Sequence, residues 1–122
     1  MMSGSLTARA ETGGRFQKQA WGSMEWLIDD ASHGQAGFSL ARMTVLGGKC
    51  SQAHRHPDCN EALVLLEGAC EAVLDGQTIS MQPGQSVFVP QGSTHAVRNR
   101  DKSHAAVLLV CYSSGTRSYE TA

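Results

Sequence analysis

The sequence lacks the features that mark membrane proteins and nucleic-acid-binding proteins. No apolar run among its 122 residues approaches the ~20 residues that cross a bilayer. Ten Lys and Arg residues balance eleven Asp and Glu residues, and neither sign of charge forms a block. We therefore expect neither nucleic acid nor an anionic membrane as the main partner. The opening MMSGSLTARAETGG has no apolar segment typical of a secretory signal, so we expect a cytoplasmic protein.

Cysteine pairs with redox or metal-binding spacing are also missing. The four cysteines include no C-x-x-C pair, and the expected compartment is reducing. We interpret all four as free thiols. Cys70 and Cys111 lie in apolar segments and are predicted to be buried. Cys50 and Cys59 flank a pair of histidines, where either thiol could line a cavity.

A helix of useful amphipathic length is absent, and short apolar segments alternate with turns instead. The Asp75-Gly76 dipeptide between two such segments predicts a β-hairpin. Strands at roughly 8–12-residue spacing with turn signals are typical of an all-β sandwich or barrel. The sequence therefore predicts an all-β fold, a small antiparallel β-barrel. The clearest predicted strands are 21–29, 38–46, 69–74, 77–81 and 105–112.

The first stretch with clear chemistry is 48–68, GKCSQAHRHPDCNEALVLLEG. His54 and His56 are two residues apart, so both imidazoles would face the same way on a strand. Pro57 prevents a helix at this point, and a polar corner follows it. Glu61 then begins the next apolar segment, which reads as a buried strand. Two imidazoles and one carboxylate can therefore converge within a short distance.

The second such stretch is 84–99, GQSVFVPQGSTHAVRN. A strand core at 87–89 is followed by a Pro-Gln-Gly turn, and the next strand carries His95. Three imidazoles with one carboxylate suit one divalent transition metal, namely Fe, Mn, Ni, Cu or Zn. Such a set leaves one or two coordination positions for water, substrate or O2. The predicted metal ligands are His54, His56, Glu61 and His95.

Both stretches resemble the two motifs of the cupin superfamily. The first family motif is Gly, five residues, His-x-His, three or four residues, Glu, six residues and Gly. The second is Gly, five residues, Pro-x-Gly, two residues, His, three residues and Asn. The resemblance covers roughly residues 38–112 and implies a double-stranded β-helix, or jelly roll, that holds a metal with those four ligands. The matching positions are Gly48, His54, His56, Glu61, Gly68, Gly84, Pro90, Gly92, His95 and Asn99.

The predicted domain organisation has three parts. Residues 1–20 form an N-terminal arm, 21–112 the cupin domain, and 113–122 a polar, irregular C-terminal tail. The arm should be mobile on its own, and the resemblance implies that such arms often cross onto a partner subunit. Apolar groups on both faces of the first predicted strand favour a homodimer.

The substrate pocket is predicted from the residues near the two motifs. An arginine on a strand that faces a barrel interior could bind an anionic group, although an exposed or ion-paired arginine is more common. The predicted lining residues are Arg42, Cys50, Gln52, Leu63 and Val97.

The sequence favours a metal-dependent enzyme that acts on a small organic molecule. The resemblance is to small single-domain cupins often labelled quercetinase-like, which implies a dioxygenase-like oxidoreductase. A Lewis-acid isomerase or lyase is the second form of this hypothesis. Glu61 could leave the metal and accept a proton. The alternative is a cupin that binds a sugar or another effector without catalysis.

Overall fold

The computed structural model describes residues 8–121 of the chain. Within this part of the chain, almost all regular structure is β. One helical turn, α1 (Asp30–His33), connects the second strand to the third. In chain order the strands are β1 (Arg15–Gln19), β2 (Gly22–Ile28), β3 (Ser39–Val45), β4 (His54–Arg55), β5 (Glu61–Glu67), β6 (Cys70–Leu74), β7 (Gln77–Met81), β8 (Ser86–Val89), β9 (His95–Arg98), β10 (Ala106–Tyr112) and β11 (Glu120–Thr121).

The strands form two antiparallel sheets. The larger sheet has the order β1-β2-β3-β10-β5-β8, and the smaller has the order β11-β4-β9-β6-β7. Buried side chains from both sheets make one hydrophobic cluster, so the sheets pack face to face. The predicted all-β jelly roll is confirmed. The two sheets face each other without closing into one continuous hydrogen-bonded barrel.

Side-chain alternation along the central strands determines which residues reach the core. On β3, Ala41 and Met43 are buried, while Arg42 between them points outward. On β10, Val110 is buried and the adjacent Cys111 is exposed. The prediction that Cys111 is buried is therefore wrong. A strand at the interface of two sheets has only one face in the core.

The hairpin predicted at Asp75-Gly76 is confirmed. Asp75 has a φ of 46° and Gly76 a φ of 84°, as a two-residue turn with both central residues left-handed requires. The turn joins β6 to β7 and holds β6 beside β9, where Leu74 pairs with His95. The hairpin therefore supports the strand that carries one of the predicted ligands.

Both terminal segments contain strands. Residues 15–19 form β1, which pairs with β2 of the same chain, and residues 120–121 pair with β4. The expectation of an irregular C-terminal tail is therefore wrong at this point. The predicted arm also includes residues 1–7, which lie outside the described residues.

Across residues 8–121, the structure contains no helix with the length and apolar character that a membrane crossing requires.

Candidate metal centre

The sheet topology brings the four predicted ligands together from distant parts of the chain. His54 on β4 pairs directly with His95 on β9, and their ring centroids lie 4.3 Å apart. His56 follows β4, and its ring centroid is 4.9 Å from that of His54. Glu61 begins β5 in the opposite sheet. The cluster therefore lies between the two sheets.

The ligand atoms of the four residues are close enough to share one ion. Each residue offers one ligand atom, and these atoms all lie within 4.8 Å of one another. The Oε1 atom of Glu61 is 2.8 Å from Nε2 of His95 and 3.4 Å from Nε2 of His56. Two atoms bound to one metal at ~2.1 Å are at most ~4.2 Å apart. The cluster is thus near the spacing that a shared cation requires.

Backbone carbonyls fix the tautomer of all three histidines. The Nδ1 atom of His54 lies 2.7 Å from the carbonyl oxygen of Gln52, and that of His95 lies 3.0 Å from the carbonyl oxygen of Ser93. The Nδ1 atom of His56 lies 2.6 Å from the carbonyl oxygen of Ser118. A carbonyl oxygen only accepts, so each Nδ1 must donate its proton. Each neutral ring then carries its lone pair on Nε2, as a metal ligand needs.

The electrostatic environment keeps two of the imidazoles neutral. Burial lowers the pKa of His54 to about 4, and burial also lowers the pKa of His56. Both rings therefore offer a lone pair near pH 7. Burial opposes protonation of His95 as well, but the adjacent Glu61 carboxylate outweighs burial and raises the pKa of His95 above that of an ordinary imidazole. At His95 a proton and a cation would compete for the same nitrogen.

Three atoms of the cluster have no hydrogen-bond partner although they are buried. They are Nε2 of His56, Nε2 of His95 and Oε1 of Glu61. In the neutral tautomer fixed by Ser93, Nε2 of His95 carries no proton, so its 2.8 Å approach to Glu61 leaves both atoms without a hydrogen bond. Buried polar atoms without partners are costly and uncommon, and a cation between these atoms would satisfy all three. The residues present therefore fit a divalent transition metal.

The cluster opens into a cavity of about 450 Å³. Apolar and aromatic side chains from the larger sheet form much of its wall, and polar groups gather near the histidines. Cavities of this size and character bind small organic molecules. The lining residues are Gln17, Gln19, Trp21, Met24, Met43, Ser51, Gln52, His54, His56, Glu61, His95, Val97, Tyr112, Arg117 and Tyr119.

Two of the five predicted substrate-pocket residues line this cavity, namely Gln52 and Val97. The other three do not, so the prediction is corrected for them. Arg42 points away from the core, where its Nη1 atom lies 2.7 Å from Oε1 of Glu25. Cys50 is exposed, and its thiol contacts the carbonyl of the next residue. Leu63 is 1% exposed and packs within the hydrophobic core.

Two further residues of the motif stretches, Asn99 and Cys59, support the fold and do not line the cavity. The buried Asn99 amide donates to the carbonyl oxygens of Val45 and His104, so it ties β9 to a neighbouring strand and turn. Cys59 is buried in the hydrophobic core rather than at the cavity. Burial raises the pKa of its thiol to about 12, so Cys59 is an inert packing residue.

The C-terminal tail contributes to the centre, and the sequence analysis missed this contribution. Ser118 supplies the carbonyl that holds His56, and the Tyr119 ring stacks on His54 with centroids 4.7 Å apart. Arg117 lines the cavity beside them. The available signal was one aromatic and one basic residue in a tail otherwise rich in small polar residues.

The fold and the site together define a jelly-roll protein with a candidate metal centre between its sheets. The family model described as "Cupin domain" matches residues 41–112, which is more than half of the chain. The chain belongs to the cupin family.

The chain is also similar to individual known proteins. It is 26% identical over 88 residues to the tetracenomycin polyketide synthase protein TcmJ of Streptomyces glaucescens, covering 72% of this chain and 59% of TcmJ. A recombinant oxalate oxidase in complex with glycolate superposes with a TM-score of 0.80 at 19% identity, covering 98% of this chain and 65% of that one.

Oxalate decarboxylase from Bacillus subtilis, a protein with Mn(II) centres, superposes with a TM-score of 0.76 at 21% identity. That match covers 85% of this chain and 29% of the decarboxylase. The chain therefore spans less than two thirds of TcmJ, of the oxidase and of the decarboxylase. At these identities the two structural similarities show the fold alone.

Proposed function

We propose that this chain is a metal-dependent enzyme that acts on a small organic molecule. One divalent transition metal (Fe, Mn, Ni, Cu or Zn) would be held by His54, His56, Glu61 and His95. The observation that carries the proposal is the convergence of three Nε2 lone pairs and one carboxylate oxygen beside a cavity. Three of these four atoms have no other partner.

Such a metal, when bound, supplies either redox chemistry with O2, as in a dioxygenase, or Lewis-acid catalysis, as in an isomerase or lyase. The chain itself orients the metal ligands and encloses the bound molecule. Three backbone carbonyls hold the imidazoles in one tautomer. Met43 and Val97 give the cavity apolar walls that exclude water from the bound molecule. Glu61 is the one carboxylate among the described lining residues and is the candidate proton acceptor.

Turnover by the metal-loaded protein tests the proposed function. Protein reconstituted with Fe(II), Mn(II) or Zn(II) is incubated with flavonols, diketones and thiols, while O2 consumption and substrate loss are recorded. We expect turnover that depends on the metal and disappears in the Glu61→Gln variant. Glu67→Gln, an exposed carboxylate at the far end of the same strand, is the matched control and should retain activity.

If a compound from the panel binds but is not turned over with any of the three metals, the proposal of an enzyme is contradicted. The chain would then be a cupin that binds a small molecule without catalysis. Turnover that is equally fast without metal would contradict the role of the centre.

The proposal extends to the assembly and organisation of the chain. We propose a cytoplasmic homodimer, with a domain at 21–112 between an arm and a tail. Exposed apolar side chains on the larger sheet support a subunit contact there, because such surface is usually covered. These side chains are Phe16, Leu66 and Phe88.

A further inference from the structure

One positive charge lies in the cavity wall. Arg117 is the only Lys or Arg among the described residues that line the cavity, and Glu61 is the only Asp or Glu. A divalent cation at the histidine cluster would leave the described lining with a clear excess of positive charge. The cavity is therefore suited to a small organic anion rather than to a neutral or cationic molecule.

The guanidinium of Arg117 is positioned by stacking. Its Cζ atom lies 3.7 Å from the ring centroid of Trp26 and 5.2 Å from that of Tyr112. Stacking on an aromatic ring covers one flat face of a guanidinium but leaves its N–H edges free for a planar anion. The indole N–H of Trp26 is itself satisfied, because it donates to the side-chain oxygen of Gln17.

One N–H of this guanidinium has no acceptor in the described part of the chain. The Nε atom of Arg117 is buried without a hydrogen-bond partner. None of the ion pairs found among residues 8–121 includes Arg117. By contrast, Arg42 and Arg55 each pair with a glutamate within 2.8 Å. A buried donor of this kind indicates a missing acceptor.

The tail on either side of Arg117 is fixed to the fold. The carbonyl oxygen of Gly115 accepts a hydrogen bond of 3.1 Å from the backbone N–H of Asp30. The backbone N–H of Ser118 donates to the Asp58 carboxylate at 2.9 Å. Residues 120–121 then pair with β4. The guanidinium is thus preorganised, which reduces the entropic cost of binding an anion.

We propose that Arg117 binds the carboxylate of a small organic acid, and that this acid is the molecule on which the centre acts. The second half of this inference rests on the proposed function. The centroid of the Tyr112 ring lies 5.0 Å from that of His56, and the Arg117 guanidinium lies against the same Tyr112 ring. The guanidinium and the histidine cluster are therefore separated by one aromatic ring. One small molecule can therefore reach both. Guanidinium and carboxylate match as a planar, two-point pair, which makes a carboxylate the fitting anion.

Three matched ligands test the assignment without requiring turnover. Benzoate, benzamide and phenyl phosphate share a ring and differ in the charged group. Their affinities are measured by calorimetry or ligand-observed NMR for metal-free and metal-loaded protein. We expect benzoate to bind about 10- to 100-fold more tightly than benzamide, since a hydrogen bond to a charged group contributes that much. Arg117→Met should remove this preference, and Arg117→Lys should retain part of it.

Arg42→Met is the matched control, because Arg42 faces away from the cavity and should leave benzoate affinity unchanged. Circular dichroism confirms that each variant is folded. Unchanged benzoate affinity in folded Arg117→Met would overturn the proposal and leave Arg117 as a residue that only packs the tail onto Trp26. Tighter binding of phenyl phosphate than of benzoate would overturn the choice of a carboxylate. Arg117-dependent binding in protein that takes up no metal would support the anion site while rejecting the proposed function.

Discussion

Replacing His95 with alanine is expected to abolish metal binding at the centre. His95 supplies one of four ligand atoms, and its removal leaves the others without a complete set around the cation. We expect an affinity loss of more than about 100-fold, because even the outer partners of metal ligands contribute 10- to 100-fold. Metal content after dialysis and competition with a chromogenic chelator measure the effect.

His104→Ala is the matched control for this substitution. His104 lies in the loop between β9 and β10, where its side chain is 76% exposed and has Asp101 as its one hydrogen-bond partner in the described chain. It should bind metal as the wild type does. Equal metal content in folded His95→Ala and in His104→Ala would show that the metal binds at a site other than the proposed centre.

Replacing Leu63 with alanine is expected to reduce the free energy of unfolding by about 3 kcal/mol. Leu63 is fully enclosed in the core, so the substitution removes buried methyl groups and leaves a cavity. Leu46→Ala, just after β3, is the matched control, because Leu46 is 47% exposed and is not one of the side chains of the proposed subunit contact, so its loss should cost about 0.5 kcal/mol or less. Urea unfolding of the metal-free proteins measures both values.

The Leu63 result also decides between two assignments of this residue. The sequence predicts Leu63 as a pocket residue, and the structure places it in the core. A cost equal to that of Leu46→Ala, together with weaker ligand binding, would favour the pocket. A large loss of stability with unchanged metal stoichiometry is the result that the structure predicts.

The strands of the fold were predictable because their signals are local. The 21–29 and 38–46 segments are confirmed as β2 and β3, and the Asp75-Gly76 dipeptide forms the expected hairpin. Period-two alternation divides a strand into two faces but does not say which face is inside. Arg42 illustrates this limit, since the sequence predicts it in the pocket and the structure places it on the outer face.

The histidine and glutamate cluster was predictable because its spacing is carried by two short motifs. His54, His56 and Glu61 lie within eight residues, and His95 follows a turn whose signal is also local. The contribution of the tail was not predictable from spacing. Ser118 acts through its backbone carbonyl, which any residue type could supply, and it meets His56 across 62 positions of sequence. Only the three-dimensional path of the chain reveals that contact.

A crystal structure of the metal-reconstituted protein, with anomalous diffraction at the absorption edge of the metal, tests the central claim most directly. We predict one anomalous peak per chain, with Nε2 of His54, His56 and His95 and one carboxylate oxygen of Glu61 at about 2.0–2.2 Å. A peak elsewhere on the chain, or one bound through Nδ1 after loss of the carbonyl contacts, would contradict it.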